Sequence, residues 1–231
     1  MTSREQRQAL EDVRLNKPKN LRVRVYDSVR NRIQAGLIAQ DERIVDLELA
    51  ALLGISRMPV REALMQLVHE GALESTSRGF MLRTFSDQEV EDIFEIRCLL
   101  EPPAAASAAG NMGIASLHKL ETALHQCEAT SEANDVRGFI ISNADFRSTW
   151  LAQVSNKHLS STIARFADHV QAIRLATLQT KTVRADAIER MWSLCEAFRA
   201  KSAVDAASRT KKQVLAALGA FRRYRRAKAG M

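Results

Sequence analysis

Arg57 and Arg61 stand four residues apart in the stretch Ile55-Ser56-Arg57-Met58-Pro59-Val60-Arg61-Glu62-Ala63-Leu64. A guanidinium carries a planar fork of donors that matches the outer edge of guanine or a phosphate. Two such forks one helical turn apart suit the major groove of DNA. The same pair would also serve as ordinary surface charge on a solvated helix. Val60, Ala63, Leu64, Leu67 and Val68 line a second face up to Gly71, which predicts a helix that buries one side and presents the arginines on the other. Ser56 is placed to cap that helix, and its first turn tolerates Pro59. Downstream, Arg78 and Gly79 lie in a Ser/Thr/Gly turn; a glycine there lets backbone approach the minor groove, and an arginine senses its potential.

The elements that must hold these residues follow from spacing. Val25, Val29 and Ile33 recur every fourth position in a helix that begins near Leu21 and stops at Gly36. After the link Leu37 to Val45, a second helix spans Asp46 to Leu53, with Asp46 as its N-cap and Gly54 as its stop. The arginine-bearing helix comes next. Two apolar runs, Ala72 to Glu74 and Phe80 to Leu82, then flank the turn and predict a β-hairpin. Three helices and a hairpin make a winged helix-turn-helix.

Ser86-Asp87-Gln88-Glu89 reads as a capping box, and from there the apolar spacing is helical nearly to the end. Predicted helices cover 87–101, 104–109, 113–133, 135–154, 157–178, 182–200 and 203–228, with a break at Pro102-Pro103. Short links between them predict an antiparallel bundle. The chain is therefore expected to be mostly α, with a flexible arm over 1–20, a winged helix over 21–85 and an all-α bundle over 86–231.

Composition agrees. Only 9 Gly and 4 Pro in 231 residues argue against barrels, sandwiches and Rossmann-type sheets, and 34 basic against 27 acidic residues, a net +7, favour a polyanionic partner. No apolar run reaches the ~18 residues of a membrane span, and the charged start MTSREQRQALEDVR lacks the apolar core of a signal peptide, so a cytoplasmic protein with no membrane partner is expected. Cys98, Cys127 and Cys195 are odd in number and far apart, and read as small buried hydrophobes. His118 and His125 are two helical turns apart, about 10.5 Å, too far to share one ion. No nucleophile, carboxylate pair or phosphate loop points to catalysis. The basic end FRRYRRAKAG is either a solvated tail or a second nucleic-acid contact.

At these residues a resemblance enters. VYDSVRNRIQAGLI, LAALLGISRMPVREALMQLVHEGALESTSRGFMLRTFS and EIRCLLEPPAA resemble the GntR family of bacterial winged-helix regulators, whose pattern LA-x2-LG-x-SR-x-PVREAL-x2-L-x2-EG precedes a wing containing RG. The helical remainder resembles the C-terminal FCD domain of the FadR-type branch, through E-x-R-x2-LE and SNADFRSTWLAQVSNKHL. The resemblance implies a transcription regulator that binds double-stranded operator DNA as a homodimer. Arg57 and Arg61, with Ser56, Met58 and Arg78, would touch bases or phosphates, and Gly79 would sit at the wing tip. Met58 stands where most relatives carry Thr, which removes one hydroxyl contact.

Many members of this branch hold a divalent metal through one Asp and three His. Those four positions fall here at Asn143, Arg147, Met191 and Gln213, a set with a cation and no imidazole, so no metal and no other cofactor is expected. Arg97, in the E-x-R element, either points into the pocket or pairs with Glu101 or Glu95; Arg147 either joins it or faces solvent. With both inward, Arg97, Asn143, Arg147, Met191 and Gln213 would receive a small organic acid without metal. Two other readings stay open: a sensor reduced to a dimerisation scaffold, and a small enzyme or binding protein fused to a DNA-binding domain.

Overall fold

The structure, a computed structural model, describes residues 18–169, 173–174 and 177–229. The expected arm over 1–20 lies almost wholly outside them. The chain divides into two compact units, Met1–Thr84 and Phe85–Met231.

In the first unit, helix α1 (Pro18–Gln34) buries Val25, Val29 and Ile33, as their spacing predicts, and Gly36 follows in the left-handed region at φ +65°. Helix α2 (Asp46–Leu53) ends at Gly54, where φ is +66° and the amide donates to the carbonyls of Ala50 and Ala51. Helix α3 (Arg57–His69) starts three residues later and buries Val60, Ala63, Leu64 and Leu67 completely. Two expectations about caps are corrected. Val45, not Asp46, is the N-cap of α2, and Ser56 occupies the N-cap position of α3 without a side-chain cap bond. Asp46 is instead the first helical residue, buried and engaged by arginines.

The hairpin is strand β1 (Leu73–Thr76) against strand β2 (Gly79–Leu82), antiparallel, with Leu73 opposite Leu82 and Thr76 opposite Gly79. The turn is therefore Ser77-Arg78, and Gly79 belongs to the strand rather than the tip. Its φ is +128°, and a Cβ added there would meet the Ile44 carbonyl oxygen at 2.7 Å. Ile44 and Phe80 exchange backbone hydrogen bonds of 2.8 and 2.9 Å, so the link before α2 adds a short third strand position. Nothing in the alternation of that link announced it, because one bridged residue leaves no period to read.

In the second unit, helix α4 (Asp87–Asn111) opens with the predicted capping box: the Ser86 side chain accepts from the Glu89 amide, and the Glu89 carboxylate accepts from the Ser86 amide. The predicted break at Pro102-Pro103 does not occur, and α4 runs 25 residues through both prolines. Its buried stripe of Val90, Ile93, Phe94, Arg97, Glu101, Ala104, Ala105, Ala108 and Ala109 continues on both sides of them. The prolines lie off that stripe, and the residues one turn before them are half-exposed Cys98 and Leu99, 67% exposed. Burial of the alanine-rich half offsets the cost of the prolines, about 3 kcal/mol for each in a helix interior through the missing N–H and the ring's clash with the preceding turn.

Helices α5 (Ile114–Glu132), α6 (Val136–Leu151), α7 (Lys157–His169), α8 (Lys181–Arg199) and α9 (Ala203–Ala229) complete the unit. Asp135 caps α6 by accepting from the Gly138 amide at 2.9 Å, and Asn156 accepts from the Leu159 amide at the start of α7. Helix α9 packs along α4, and α5 pairs with α6 and α8. Cys127 and Cys195 are fully buried in this core, with Leu120, Leu124, Phe139, Phe146 and Phe198.

Candidate functional site

In the winged unit, α2 and α3 bring three charged groups together. The buried Asp46 carboxylate accepts from Arg57 Nε at 2.9 Å and from Arg61 Nη1 at 3.1 Å, both through Oδ2. Hydrogen bonding from Arg57, and then Arg61, holds Asp46 below the ordinary carboxylate range against its burial. The two arginine side chains remain 55% and 57% exposed, and Met58 beside them is 71% exposed. Each guanidinium thus keeps outward-facing donors while one edge is fixed from beneath. Ser56, Arg57, Met58 and Arg61 form one exposed surface at the start of α3, and Arg78 is exposed at the hairpin turn. Asp46, expected as a cap, stands eleven residues before Arg57 on the preceding helix, so spacing within one element gives no signal of this second role.

In the helical unit, a cavity of about 110 Å³ lies among α4, α6, α8, α9 and the residues Ile173, Arg174, Thr177 and Leu178. Arg97, Asn143, Arg147 and Gln213 line it, and Met191 does not. Met191 is fully buried behind the wall and accepts a hydrogen bond on Sδ from Asn143 Nδ2 at 3.1 Å, so its expected place at the pocket surface is corrected.

The two open possibilities for Arg97 are both realised. It lies on the inward stripe of α4, 7% exposed, and its Nε donates to Glu101 at 2.6 Å, with the guanidinium 4.7 Å from the centre of the Phe94 ring. Arg147, on the inward face of α6 with Asn143, Phe146 and Trp150, donates to the same carboxylate through Nη1 at 3.0 Å and Nη2 at 2.8 Å. Its solvent-facing alternative is thereby corrected. Burial would raise the Glu101 pKa, but Arg147 and Arg97 together bring it down to about 2. Burial also pulls Arg97 below its ordinary value. Two guanidiniums share one carboxylate, which leaves a buried excess of one positive charge, and Arg147 Nε is buried with no acceptor. Asp186 and Arg190 of α8 pair with each other at 2.6 Å and line the same cavity.

A further residue positions one wall. Arg184 is fully buried and donates to the carbonyl oxygens of Leu178 and Gln179 at 2.7 and 3.0 Å, to Asn134 Oδ1 at 2.6 Å and to Ser131 Oγ at 3.3 Å. It ties the end of the Thr177-Leu178 wall to the turn between α5 and α6. Its place on the stripe with Met191 and Phe198 is the sequence signal of its burial.

A divalent metal does not suit this site. No histidine lines the cavity, its two carboxylates are held by arginines, and a guanidinium stands among the remaining donors. Among the described residues no group of three or more His, Cys, Asp or Glu is arranged to hold an ion. Among them, too, no helix is long and apolar enough to cross a membrane.

Comparison with known proteins identifies both units. The chain is 28% identical over 183 residues to YdhC of Bacillus subtilis, an uncharacterised HTH-type transcriptional regulator, covering 78% of this chain and 81% of that one. It is 30% identical over 129 residues to the HTH-type transcriptional regulator McbR of Escherichia coli, covering 55% and 58%. The solved structure of E. coli McbR superposes with a TM-score of 0.74 at 24% identity, over 85% of this chain and 96% of that one, and shares its fold. These relatives are regulators, not enzymes. Residues 21–80 match the bacterial regulatory proteins of the gntR family, and residues 92–216 match the FCD domain. With the winged helix at one end and the helical cavity unit at the other, the chain belongs to the GntR family of transcription regulators, in the branch that carries an FCD domain.

Proposed function

We propose that this regulator reads an inverted-repeat operator as a homodimer and that a small organic anion in the helical unit controls it. The DNA-reading surface is Ser56, Arg57, Met58 and Arg61 at the start of α3, which enters the major groove, with Arg78 beside the minor groove and Gly79 shaping the strand behind it. Arg57 and Arg61 keep free donors, and the Ser56 hydroxyl, not spent on a cap, sits where a helix N-terminus favours phosphate.

The observation that carries the control half is the Arg97–Glu101–Arg147 cluster. A buried net positive charge and an orphaned guanidinium N–H are costly unless something anionic completes them. A short carboxylic acid entering beside Asn143 and Gln213 would do so, drawing hydrogen bonds from the guanidinium edges that Glu101 leaves open. By binding one setting of the dimer better than another, it would change operator affinity.

Fluorescence anisotropy on the chain's own promoter fragment tests the first half. Arg61→Ala is expected to lose about 1 to 3 kcal/mol per half-site, and unchanged affinity at fixed salt removes Arg61 from the reading surface. Calorimetric titration of small organic acids into wild type and Arg97→Ala tests the second half. Binding that survives Arg97→Ala undiminished rejects the arginine cluster as the anion site, and no binding of any acid leaves the helical unit as a dimerisation scaffold.

A further inference from the structure

The positive charge of this chain is not where its DNA-reading helix is. Over 21–84 there are nine basic and eight acidic residues, so the winged unit is close to neutral. Helix α9 alone holds eight basic residues and one acid, Asp205, which equals the chain's whole net charge of +7; elsewhere 26 basic residues face 26 acidic ones. Phosphate attraction scales with the cations that can meet the backbone, so the strongest element for it is α9.

The arrangement of those cations is specific. Lys211, Lys212, Arg222, Arg223, Arg225, Arg226 and Lys228 are all exposed. Arg222 and Arg225 are bound to Glu91 and Asp87, in the first turns of α4, with Arg222 Nε 2.7 Å from Glu91 and Arg225 Nε 2.7 Å from Asp87. Lys211, Lys212, Arg223, Arg226 and Lys228 have no acidic partner among the described residues. Helical spacing puts Lys212, Gly219, Arg223 and Arg226 within roughly 60° of one another, a continuous face. A helix dipole rewards cations only in the last turn, so it does not account for Lys211 and Lys212, more than four turns earlier.

We propose that this exposed face of α9 is a second DNA-binding surface, one that holds phosphates without reading sequence. The inference rests on the DNA-binding reading above. The ion pairs to Asp87 and Glu91 fasten the basic end of α9 to the start of α4, and only five residues of chain, about 17 Å at full extension, run from Leu82 of the wing to Asp87. Whatever the setting of the two units, the basic end is tethered to the winged unit by that short link. A second copy of the chain is a poor occupant, because two such faces would bring like charges together.

The test measures the salt dependence of binding to a mixed-sequence 30-base-pair duplex, so no operator need be known. Lys212→Gln, Arg223→Gln and Arg226→Gln, the three cations of that face, are combined in one variant, and Arg223→Gln with Arg226→Gln in a second. A control removes the same three charges elsewhere, as Lys119→Gln, Lys181→Gln and Lys201→Gln, all exposed positions of the helical unit. Each lost phosphate contact should make the slope of log K against log salt shallower by about 0.9, so the triple variant should be shallower by roughly 2 to 3, with the control unchanged. The double variant should lose up to about 2, and keeps the proposal testable should the triple variant fold poorly. The ratio of operator to mixed-sequence affinity should not move, whereas Arg61→Ala should reduce it. Slopes no shallower than the control's overturn the proposal, as does a change in oligomeric state with the slope intact, which would give the face to a second copy. A wild-type chain that binds no duplex at all overturns this proposal together with the DNA-binding reading.

Discussion

Arg147 on α6 closes a two-point fork on Glu101 of α4, with Nη1 to Oε2 at 3.0 Å and Nη2 to Oε1 at 2.8 Å. Because Arg97 uses the same carboxylate, removing it strands two buried cations. Glu101→Ala should destabilise the helical unit by about 3 to 5 kcal/mol in urea denaturation, the cost of an uncompensated buried charge. Replacing the whole cluster with Arg97→Leu, Glu101→Leu and Arg147→Met should recover most of that loss while abolishing anion binding. Recovery of stability with acid binding retained would place the anion elsewhere.

Acid should act through the same residue. Its folded-state pKa of about 2 lies below the ordinary 4.5, so folding favours the ionised form. The resulting stability is complete above about pH 4.5 and is lost as pH falls from there toward 2. Thermal midpoints followed across that window should fall in wild type and fall less in the three-residue apolar replacement.

Asp46 fixes one edge of both recognition-helix arginines. Asp46→Asn weakens that hold and adds a net positive charge beside the DNA. Binding to mixed-sequence duplex should tighten at low salt, while the operator-to-mixed ratio should shrink about tenfold, roughly the lower end of one lost base contact. Asp46→Glu should restore part of the ratio. An Asp46→Asn protein with unaltered discrimination would show that the arginines find their targets unaided.

Gly79→Ala places a Cβ 2.7 Å from a backbone oxygen at φ +128°. Backbone strain of this kind costs about 1 to 3 kcal/mol. The winged unit should melt earlier by several degrees, with the helical unit's transition unmoved, as differential scanning calorimetry would resolve.

The helices and the wing could be read from the sequence because each repeats an apolar position at the period of its element, as Val25, Val29 and Ile33 do. Ser86 with Glu89 marked a start because capping is a local, three-residue device. Pro102-Pro103 misled, because the penalty of a proline is local while the burial that overrides it comes from α9, distant in sequence. The placement of Arg97 and Glu101 was half legible: both fall on the stripe of Phe94 and Ala104, but only the fold brings Arg147 across from α6. Asp46 and Arg184 were missed for the same reason, since their partners are set by packing between elements rather than by spacing within one. Met191 was misplaced by one helical face, a difference that a weak match to a family pattern does not resolve.

Cys127 and Cys195 give the helical core its own clock. Both thiols are fully buried, and burial pushes them up to about 12 and about 11, so neither is a nucleophile while the core is closed. Once half-exposed Cys98 has reacted, the slower reaction of these two thiols with an aromatic disulfide in mild base therefore times the opening of α5 and α8 rather than the chemistry of the sulfur. A compound that fills the neighbouring cavity of the closed core would lengthen that time by a factor of one plus the ratio of free compound to its Kd, so the native chain can report its own ligands with no label attached.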